Sequence, residues 1–186
     1  MEKTGEEVLA KKIIEGKTEL LVPEASMQST IPPRTPAFFN PNAELNRDIS
    51  MAVYRIFSKD KASSTVMADS LAGVGARGIR VAVEVPDIKE VYINDGNLQA
   101  VNLAKKSANL NLVSEKCFFS VLDICRFLAL HSAPKKRFTI LDIDPFGSPT
   151  PYLDCALRSI ENNGLLSTTA TDMPVLCGVY PKVSYR

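Results

Sequence analysis

Between residues 64 and 172, five short apolar segments alternate with segments of helical periodicity. The predicted strands are STVMADS, EVYIND, CFFSVLD, RFTILDID and GLLSTTATD. The predicted helices between them are ARGIRVAVEV, NLQAVNLAKKSANL, ICRFLALH and PYLDCALRSIEN. Strands that are apolar on both faces and joined by helices predict an α/β fold with a mostly parallel sheet covered on both sides. Ligands of such sheets bind at the carboxyl ends of the strands.

Residues 1–41 have a different character. KIIEGKTELLVP predicts a hairpin that turns at Gly16, and the following EASMQSTIPPRTPAFFNP has too many prolines for regular structure. From Asn42, a possible N-cap, apolar residues recur at helical spacing: Leu45, Ile49, Val53, Ile56 and Phe57. We therefore expect an N-terminal hairpin and loop extension over residues 1–41 and a main domain over residues 42–186.

Composition and charge narrow the classes of function. The 186 residues are 45% apolar and 23% charged, which suits one globular domain with a real core. The formal net charge of +1 provides no global basic field, so contact with nucleic acid would depend on local patches. No apolar run reaches the roughly 20 residues of a membrane span, and no signal-peptide pattern opens the chain. We expect a soluble, cytoplasmic protein.

The cysteines have no C-x-x-C spacing. We expect reduced, buried thiols and neither a disulfide framework nor a metal site at the four positions, Cys117, Cys125, Cys155 and Cys177.

The first predicted strand ends in DSLAGVGARG, where Gly73, Gly75 and Gly78 form G-x-G-x-x-G at a strand-to-helix turn. Glycine lets the backbone approach a ligand closely and expose its N–H groups. The spacing fits a dinucleotide or the adenosyl group of S-adenosylmethionine. A tight turn without a ligand explains the same glycines.

Two further strand ends carry acids. Asp95 follows Gly78 at about the spacing, roughly 20 residues, of an acid that binds both ribose hydroxyls. Asp123 can accept from an exocyclic amino group and Ile124 can donate its backbone N–H to a ring nitrogen, so together they can read adenine. Each acid is equally placed to be the N-cap of the next helix.

The fourth strand ends in ILDIDPFGSP. An aromatic exocyclic amine is a poor nucleophile, and methylating it requires acceptors for its N–H groups. The Asp144 carboxylate and the Pro145 backbone carbonyl can accept these hydrogen bonds, with Asp144 as a general base. Phe146 can stack on the base that carries the amine. The alternative is that Asp144 and Pro145 only terminate the strand.

Five segments are distributed along almost the whole length of the chain, between residues 15 and 178: DIDPFGSPTPYLDCALRSI, GLLSTTATDMPVLCG, FFNPNAELNRDIS, EGKTELLVP and VGARGIR. In these segments the sequence resembles the tRNA (guanine(26)-N(2))-dimethyltransferases, especially the archaeal members. The resemblance implies a Rossmann-like class I methyltransferase fold, S-adenosylmethionine as cofactor, and tRNA as partner, methylated once or twice on N2 of guanine 26. It also implies that Arg47 and Arg77 contact the cofactor, in addition to Asp95, Asp123 and Ile124, and that Asp144 is catalytic.

The chain stops soon after the fifth predicted strand, whereas the family continues into further strands and a C-terminal domain that helps hold tRNA. We therefore expect an N-terminal fragment that is truncated after the fifth strand and has little activity alone. Weak tRNA binding with a shallow salt dependence is predicted, since the candidate basic groups are few: Lys11, Lys12, Lys17 and Arg34.

Two alternatives remain at this point. G-x-G-x-x-G with Asp95 is also compatible with an NAD-dependent oxidoreductase, although Asp69 lies further from Gly73 than is usual for dinucleotide folds. The second alternative is a truncated chain that binds cofactor or RNA without turnover.

Overall fold

A computed structural model of the chain describes residues 8–59, 61, 65–179 and 182. The predicted N-terminal hairpin is present: strands β1 (Ala10–Glu15) and β2 (Thr18–Pro23) pair antiparallel with Glu15 opposite Thr18. Gly16 occupies the turn with a φ of +58°, a conformation that glycine adopts without strain. A short helix, α1 (Glu24–Gln28), follows the hairpin.

The predicted α/β architecture is confirmed. Five parallel strands form one sheet: β3 (Thr65–Asp69), β4 (Ile88–Asn94), β5 (Cys117–Ser120), β6 (Phe138–Ile143) and β7 (Ile160–Thr168). Their order across the sheet is β5-β4-β3-β6-β7. The chain order changes direction beside β3, the kind of position where open α/β sheets bind ligands.

Helices cover both faces of this sheet. They are α2 (Glu44–Lys59), α3 (Ala76–Glu84), α4 (Leu98–Leu110), α5 (Ile124–Leu130), α6 (Leu153–Ser159) and α7 (Met173–Leu176). Single turns of 3₁₀ helix lie at Pro41–Ala43, Ser114–Lys116 and Thr150–Tyr152.

Two apolar clusters lie against the sheet, one on each face. In one, the hairpin residues Leu20 and Val22 are fully buried together with Ile79 of α3. In the other, Phe127 of α5 packs with Leu141 of β6. All six residues of β6 are buried, as expected for a central parallel strand covered on both faces. The hairpin therefore shares a core with the sheet, and a domain boundary between residues 41 and 42 stays a prediction.

Helix α2 is present, but its buried face is not the apolar one. The side chains that point inward are Arg47, Met51, Tyr54 and Ser58. The apolar residues that recur along the helix are largely exposed: Leu45, Ile49, Val53 and Ile56. Arg47 and Tyr54 point inward because they bond to buried partners in the hairpin and the sheet, described below.

The last helix and strand differ from the prediction. PYLDCALRSIEN was predicted as helix to Asn162, but α6 ends at Ser159 and β7 begins at Ile160. The register of β7 against β6 shifts between Ile160 and Leu165, which produces an irregularity near the start of the strand. Gly164 is required there, since a Cβ would lie 2.7 Å from Ile160 Cγ1.

The expectation of four reduced cysteines is wrong for two of them. Cys125 of α5 and Cys155 of α6 form a disulfide, with Cα atoms 5.7 Å apart. These helices pack side by side on one face of the sheet, which brings together two residues separated by 30 positions in the chain. Cys117 is a buried free thiol, as expected, whereas Cys177 is a free thiol that is exposed and not buried.

Candidate functional site

A cavity of about 710 Å³ opens at the carboxyl edge of the sheet. It is bounded by the ends of β3, β4 and β6, the loop before α2, and the segment after β7. Six of the predicted site residues line it: Arg47, Arg77, Asp95, Asp144, Pro145 and Phe146. The edge of the sheet that was predicted to bind a ligand is therefore where the structure gathers these side chains.

The glycine-rich turn packs tightly as well as lining the cavity. Gly73 and Gly75 have φ values of +54° and +75°. A Cβ at Gly75 would lie 2.7 Å from Ala104 Cβ, and one at Gly78 would lie 2.8 Å from Ile93 Cγ1. These two glycines let α3 approach α4 and β4, so the tight-turn interpretation applies to them, while Gly73 borders the cavity.

Asp95 joins this turn to the start of α4. Its Oδ2 accepts from the Gly73 backbone N–H at 2.7 Å, and its Oδ1 accepts from the Asn97 N–H at 2.8 Å. The N-cap of α4 is Asn97, whose Oδ1 accepts from Gln99 and Ala100. Asp95 is therefore not the helix cap, and its carboxylate borders the cavity with both oxygens already oriented by backbone donors.

Arg77 is the central cation of the site. It is buried, and its Nη2 donates to Asp144 Oδ2 at 2.9 Å and to Asn46 Oδ1 at 2.6 Å. Its Nη1 donates to Asp142, which also accepts from the hydroxyl of Tyr54. One guanidinium therefore holds two carboxylates that belong to the end of β6 and the loop after it.

Asp142 is fixed from several directions. Its Oδ2 accepts from Ser167 Oγ of β7 at 2.6 Å, in addition to the bonds from Arg77 and Tyr54. Burial is the main cause that raises the pKa of Tyr54, and the adjacent Asp142 charge adds to it. Tyr54 is therefore the hydrogen-bond donor of the pair at all ordinary pH values.

Asp144 lies closer to the solvent than Asp142, with 35% of its side chain exposed against 1%. Burial raises the pKa of Asp144 above its ordinary value; the charge of Asp142 adds to the shift, while Arg77 and a hydrogen bond from Thr169 oppose it. A carboxylate with a raised pKa is a stronger base, which suits it to accept a proton from a substrate.

Asp69 is a third carboxyl near Arg77 and, like Asp142, it is buried. It ends β3 directly opposite Asp142 in the sheet register, and its Oδ2 accepts from the Gly78 N–H at 2.9 Å. Burial raises the pKa of Asp69 to about 7, the charge of Asp142 adds to the shift, and Arg77 opposes it. The sequence interpretation assigned no role to Asp69, Asp142 or Tyr54. An acid inside an apolar strand, as in ILDID, is the signal that a buried partner must exist.

The raised pKa of Asp69 predicts a measurable pH dependence of stability. Between the ordinary carboxyl pKa of 3.8 and about 7, the folded chain retains a proton on Asp69 that the unfolded chain has released. The free energy of unfolding should therefore fall as the pH rises through this window, and Asp69→Asn should reduce that fall. Urea unfolding of both proteins at several pH values tests this. Identical pH profiles for the two proteins would contradict the assignment.

Arg47 is held by the hairpin. Its Nε and Nη2 each donate to a different oxygen of Glu15 at 2.6 Å, and Nη1 and Nη2 donate to the Asn40 carbonyl at 3.1 Å. Glu15 also accepts from Arg80 Nη1 of α3 at 2.9 Å. The ring of Phe39 lies 5.0 Å from the Arg47 guanidinium. This buried network places Arg47 at the wall of the cavity.

The segment after Asp144 forms the mouth of the cavity. Pro145 is buried, whereas Phe146 is 54% exposed. Gly147 exchanges two hydrogen bonds with Thr171, both of 3.0 Å, so the TATD sequence after β7 supports this loop. The Phe146 ring lies 4.7 Å from the Phe38 ring in an edge-to-face arrangement.

Asp123 and Ile124, both in the described part of the chain, do not line this cavity. Asp123 is exposed, and its Oδ1 caps α5 by accepting from the N–H groups of Cys125 and Arg126. Ile124 is 3% exposed and packs in the core beneath that helix. The structure therefore shows the capping role of Asp123, and adenine recognition by these two residues stays a prediction.

None of the helices within residues 8–59 and 65–179 is long and apolar enough to cross a membrane. In the same part of the chain, no group of three or more His, Cys, Asp or Glu side chains could hold a metal ion.

Comparison with known proteins agrees with this geometry. The fold is similar to that of the solved Trm1 of Pyrococcus horikoshii in complex with S-adenosyl-L-methionine, with a TM-score of 0.79 and 35% identity over 93% of this chain and 46% of that one. The parallel sheet with a cavity at its carboxyl edge is thus the Rossmann-like fold of the class I methyltransferases, as predicted.

The family follows from the sequence comparisons. Residues 16–186 match the family described as N2,N2-dimethylguanosine tRNA methyltransferase. The tRNA (guanine(26)-N(2))-dimethyltransferase of Methanococcus maripaludis is 44% identical over 95% of this chain and 46% of that protein. The protein of the same name from Methanothermobacter thermautotrophicus is 40% identical over 92% and 43%. The chain belongs to this methyltransferase family, and it spans about half the length of the curated relatives it matches.

Proposed function

We propose that this chain binds S-adenosyl-L-methionine and takes part in methylating the exocyclic N2 of guanine 26 in tRNA, giving N2-methylguanosine and N2,N2-dimethylguanosine. The observation that carries the proposal is the position of Asp144. Its carboxylate, held by Arg77 at 2.9 Å, borders one cavity together with Asp95 and Phe146. Family membership supports the same activity.

The cavity fits the proposed cofactor. Its volume of about 710 Å³ suits a ligand of nucleoside size. Arg77 Nε is buried and has no hydrogen-bond partner among the described residues, so a donor remains for an anionic group such as the carboxylate of the cofactor. Asp95 would bind the ribose hydroxyls, and Arg47 would contribute a second cation. Adenine would be read by Asp123 and Ile124 after a rearrangement that brings them to the cavity.

The cofactor, when bound, supplies a methyl group on a positively charged sulfur. Asp144 accepts one N–H of the guanine amine and takes up the proton that the amine releases on methylation. The Pro145 backbone carbonyl accepts the second N–H, and Phe146 stacks on the base. The raised pKa of Asp144 favours proton uptake, and its bond to Arg77 holds the carboxylate in place.

We further propose that residues 1–41 are an extension to a methyltransferase domain over residues 42–186, and that the protein acts in the cytoplasm, where tRNA is modified. The hairpin of the extension supports the site directly, because Glu15 holds Arg47. The activity is tested by incubating the chain with labelled S-adenosyl-L-methionine and unmodified tRNA transcript, followed by nucleoside analysis. Methyl groups on N2 of guanine 26 support the proposal, whereas label at another base or atom would contradict it.

Cofactor choice can be tested separately by thermal shift. S-adenosylhomocysteine should raise the melting temperature of the chain, and NAD should not. A shift with NAD alone would favour the oxidoreductase alternative.

Replacing Asp95 with alanine is expected to weaken binding of S-adenosyl-L-methionine by several-fold to about a hundredfold. A charge-assisted hydrogen bond contributes about 1.5–3 kcal/mol, and the ribose hydroxyls would lose their acceptor. Isothermal titration calorimetry measures the change, with Asp87→Ala, an exposed acid at the other end of the sheet, as the control. Equal affinity in wild type and Asp95→Ala would refute the ribose assignment.

A further inference from the structure

Among the residues that the structure describes, three arginines line the cavity, and they differ in whether a carboxylate pairs with them. Arg47 pairs with Glu15, and Arg77 pairs with Asp142 and Asp144. Arg34 is exposed on the proline-rich segment, and its guanidinium lies 4.2 Å from the centre of the Phe146 ring. No ion pair or hydrogen bond joins Arg34 to any other residue in the described part of the chain.

The surroundings of Arg34 are acidic. Asp95 and Asp144 line the same cavity, and each of the other two lining arginines, Arg47 and Arg77, already pairs with a carboxylate. A nucleotide that brings its base to Asp144 must also bring phosphates to the mouth, where these acids repel them. Among the described residues, Arg34 is the lining arginine without a carboxylate partner, so its charge can offset this repulsion.

The stacking partner fits the same role. Guanidinium groups stack on aromatic rings and carry their N–H donors in a planar fork that matches two oxygens of a phosphate. Because Arg34 contacts Phe146 and donates to no acceptor among the described residues, its donors are available to an anion beside that ring. Phe146 in turn follows Asp144 by only two residues, which places the cation within about a nucleotide's length of the proposed reacting atom.

The geometry points to Arg34 as a substrate-binding residue that binds an RNA backbone phosphate flanking the target guanosine while its guanidinium packs on Phe146. This inference rests on the proposed function, because it identifies the ligand of the cavity mouth as the backbone of the same nucleotide. Arg34, in the proline-rich segment, would thus contact the RNA directly. The phosphate next to the target base would be the group that it binds.

The first test compares tRNA binding by wild type, Arg34→Gln and Arg55→Gln, using fluorescence anisotropy without cofactor at several salt concentrations. Arg55 is an exposed arginine on α2 and does not line the cavity, so its variant is a matched loss of charge. Arg34→Gln should raise Kd about five- to thirtyfold at low salt and lower the salt slope by about one, as expected for loss of one phosphate contact. Arg55→Gln should change neither.

The second test locates the phosphate. RNA with a neutral methylphosphonate on either side of the target guanosine should weaken binding to wild type at one of the two linkages. At that linkage the methylphosphonate should cause almost no further loss of affinity in Arg34→Gln, because the substitution and the modification remove the same interaction. Arg34→Lys should recover the salt slope but only part of the affinity, because lysine lacks the planar fork.

These outcomes separate the inference from the proposed function. If wild type binds tRNA and Arg34→Gln binds it with the same affinity and slope, or if the two changes are additive at both linkages, the inference is wrong. Absence of tRNA binding by wild type would also overturn it. The proposed function is tested by other measurements, namely the methyl-transfer assay and binding of S-adenosylhomocysteine. Arg34→Gln should bind S-adenosylhomocysteine with wild-type affinity.

Discussion

Replacing Asp144 with asparagine is expected to lower the rate of methyl transfer about a hundredfold to ten-thousandfold, the usual contribution of a general base. Asparagine keeps an acceptor oxygen of similar size, but it cannot take up the proton that the amine releases. Affinity for S-adenosyl-L-methionine should stay near wild type, because Asp144 is assigned to the substrate amine. Single-turnover transfer of labelled methyl to tRNA, by a protein of the relatives' full length, measures the rate, and calorimetry measures the affinity.

The matched control is Asp154→Asn. Asp154 lies on α6 and is exposed, and within the described part of the chain it pairs with Arg158 alone, one helical turn away. The same chemical change there should leave the rate unaltered. Transfer by Asp144→Asn at the wild-type rate would show that this carboxylate is not the base. If a loss of cofactor affinity accounted for the whole change in rate, Asp144 would be a cofactor-binding residue and not the base.

Replacing Asp142 with alanine is expected to lower the free energy of unfolding by about 3–5 kcal/mol, the effect of removing one partner of a buried ion pair. Arg77 would lose one of its two carboxylates, and the hydroxyls of Tyr54 and Ser167 would lose their acceptor. Such a loss is a large part of the total stability of an ordinary domain, about 5–15 kcal/mol. Urea unfolding monitored by circular dichroism measures it.

Asp154→Ala serves as the control here as well, since its exposed pair should leave the unfolding midpoint unchanged. Asp142→Asn should fall between wild type and Asp142→Ala, because the amide can still accept from Tyr54 or Ser167. An Asp142→Ala variant as stable as the control variant would mean that Arg77 is held adequately by Asp144 and Asn46 alone.

Elements formed by local interactions could be predicted from the sequence. The hairpin at Gly16 and the five alternating strands follow from residue periodicity and turn chemistry, and all are present. The boundary between α6 and β7 was misplaced, because residues after Ser159 join the sheet through a long-range pairing with β6. The exposure of the apolar residues of α2 could not be predicted from the sequence either. The helix turns Arg47 and Tyr54 inward because their partners lie elsewhere in the chain.

For the candidate site too, some residue roles could be predicted from the sequence and others could not. Asp144, Phe146 and Asp95 could be chosen from the sequence because parallel strands bring their carboxyl ends to one edge, and the structure places all three at one cavity. Asp123 was chosen by the same rule, and the structure uses it to cap α5. Position at a strand end is shared by ligand-binding acids and by helix caps, so the sequence cannot separate them.

The sequence by itself determined the order of strands and helices, the parallel sheet, the edge at which the site lies and the family, because each depends on local patterns or contiguous motifs. Tertiary structure alone decided which charges neutralise one another. Arg77 reaches Asp142 across 65 residues and Arg47 reaches Glu15 across 32, and these pairs leave Arg34 as the lining cation with no partner among the described residues. Buried charges require partners, but the partner is chosen by packing between distant segments, which no local pattern specifies.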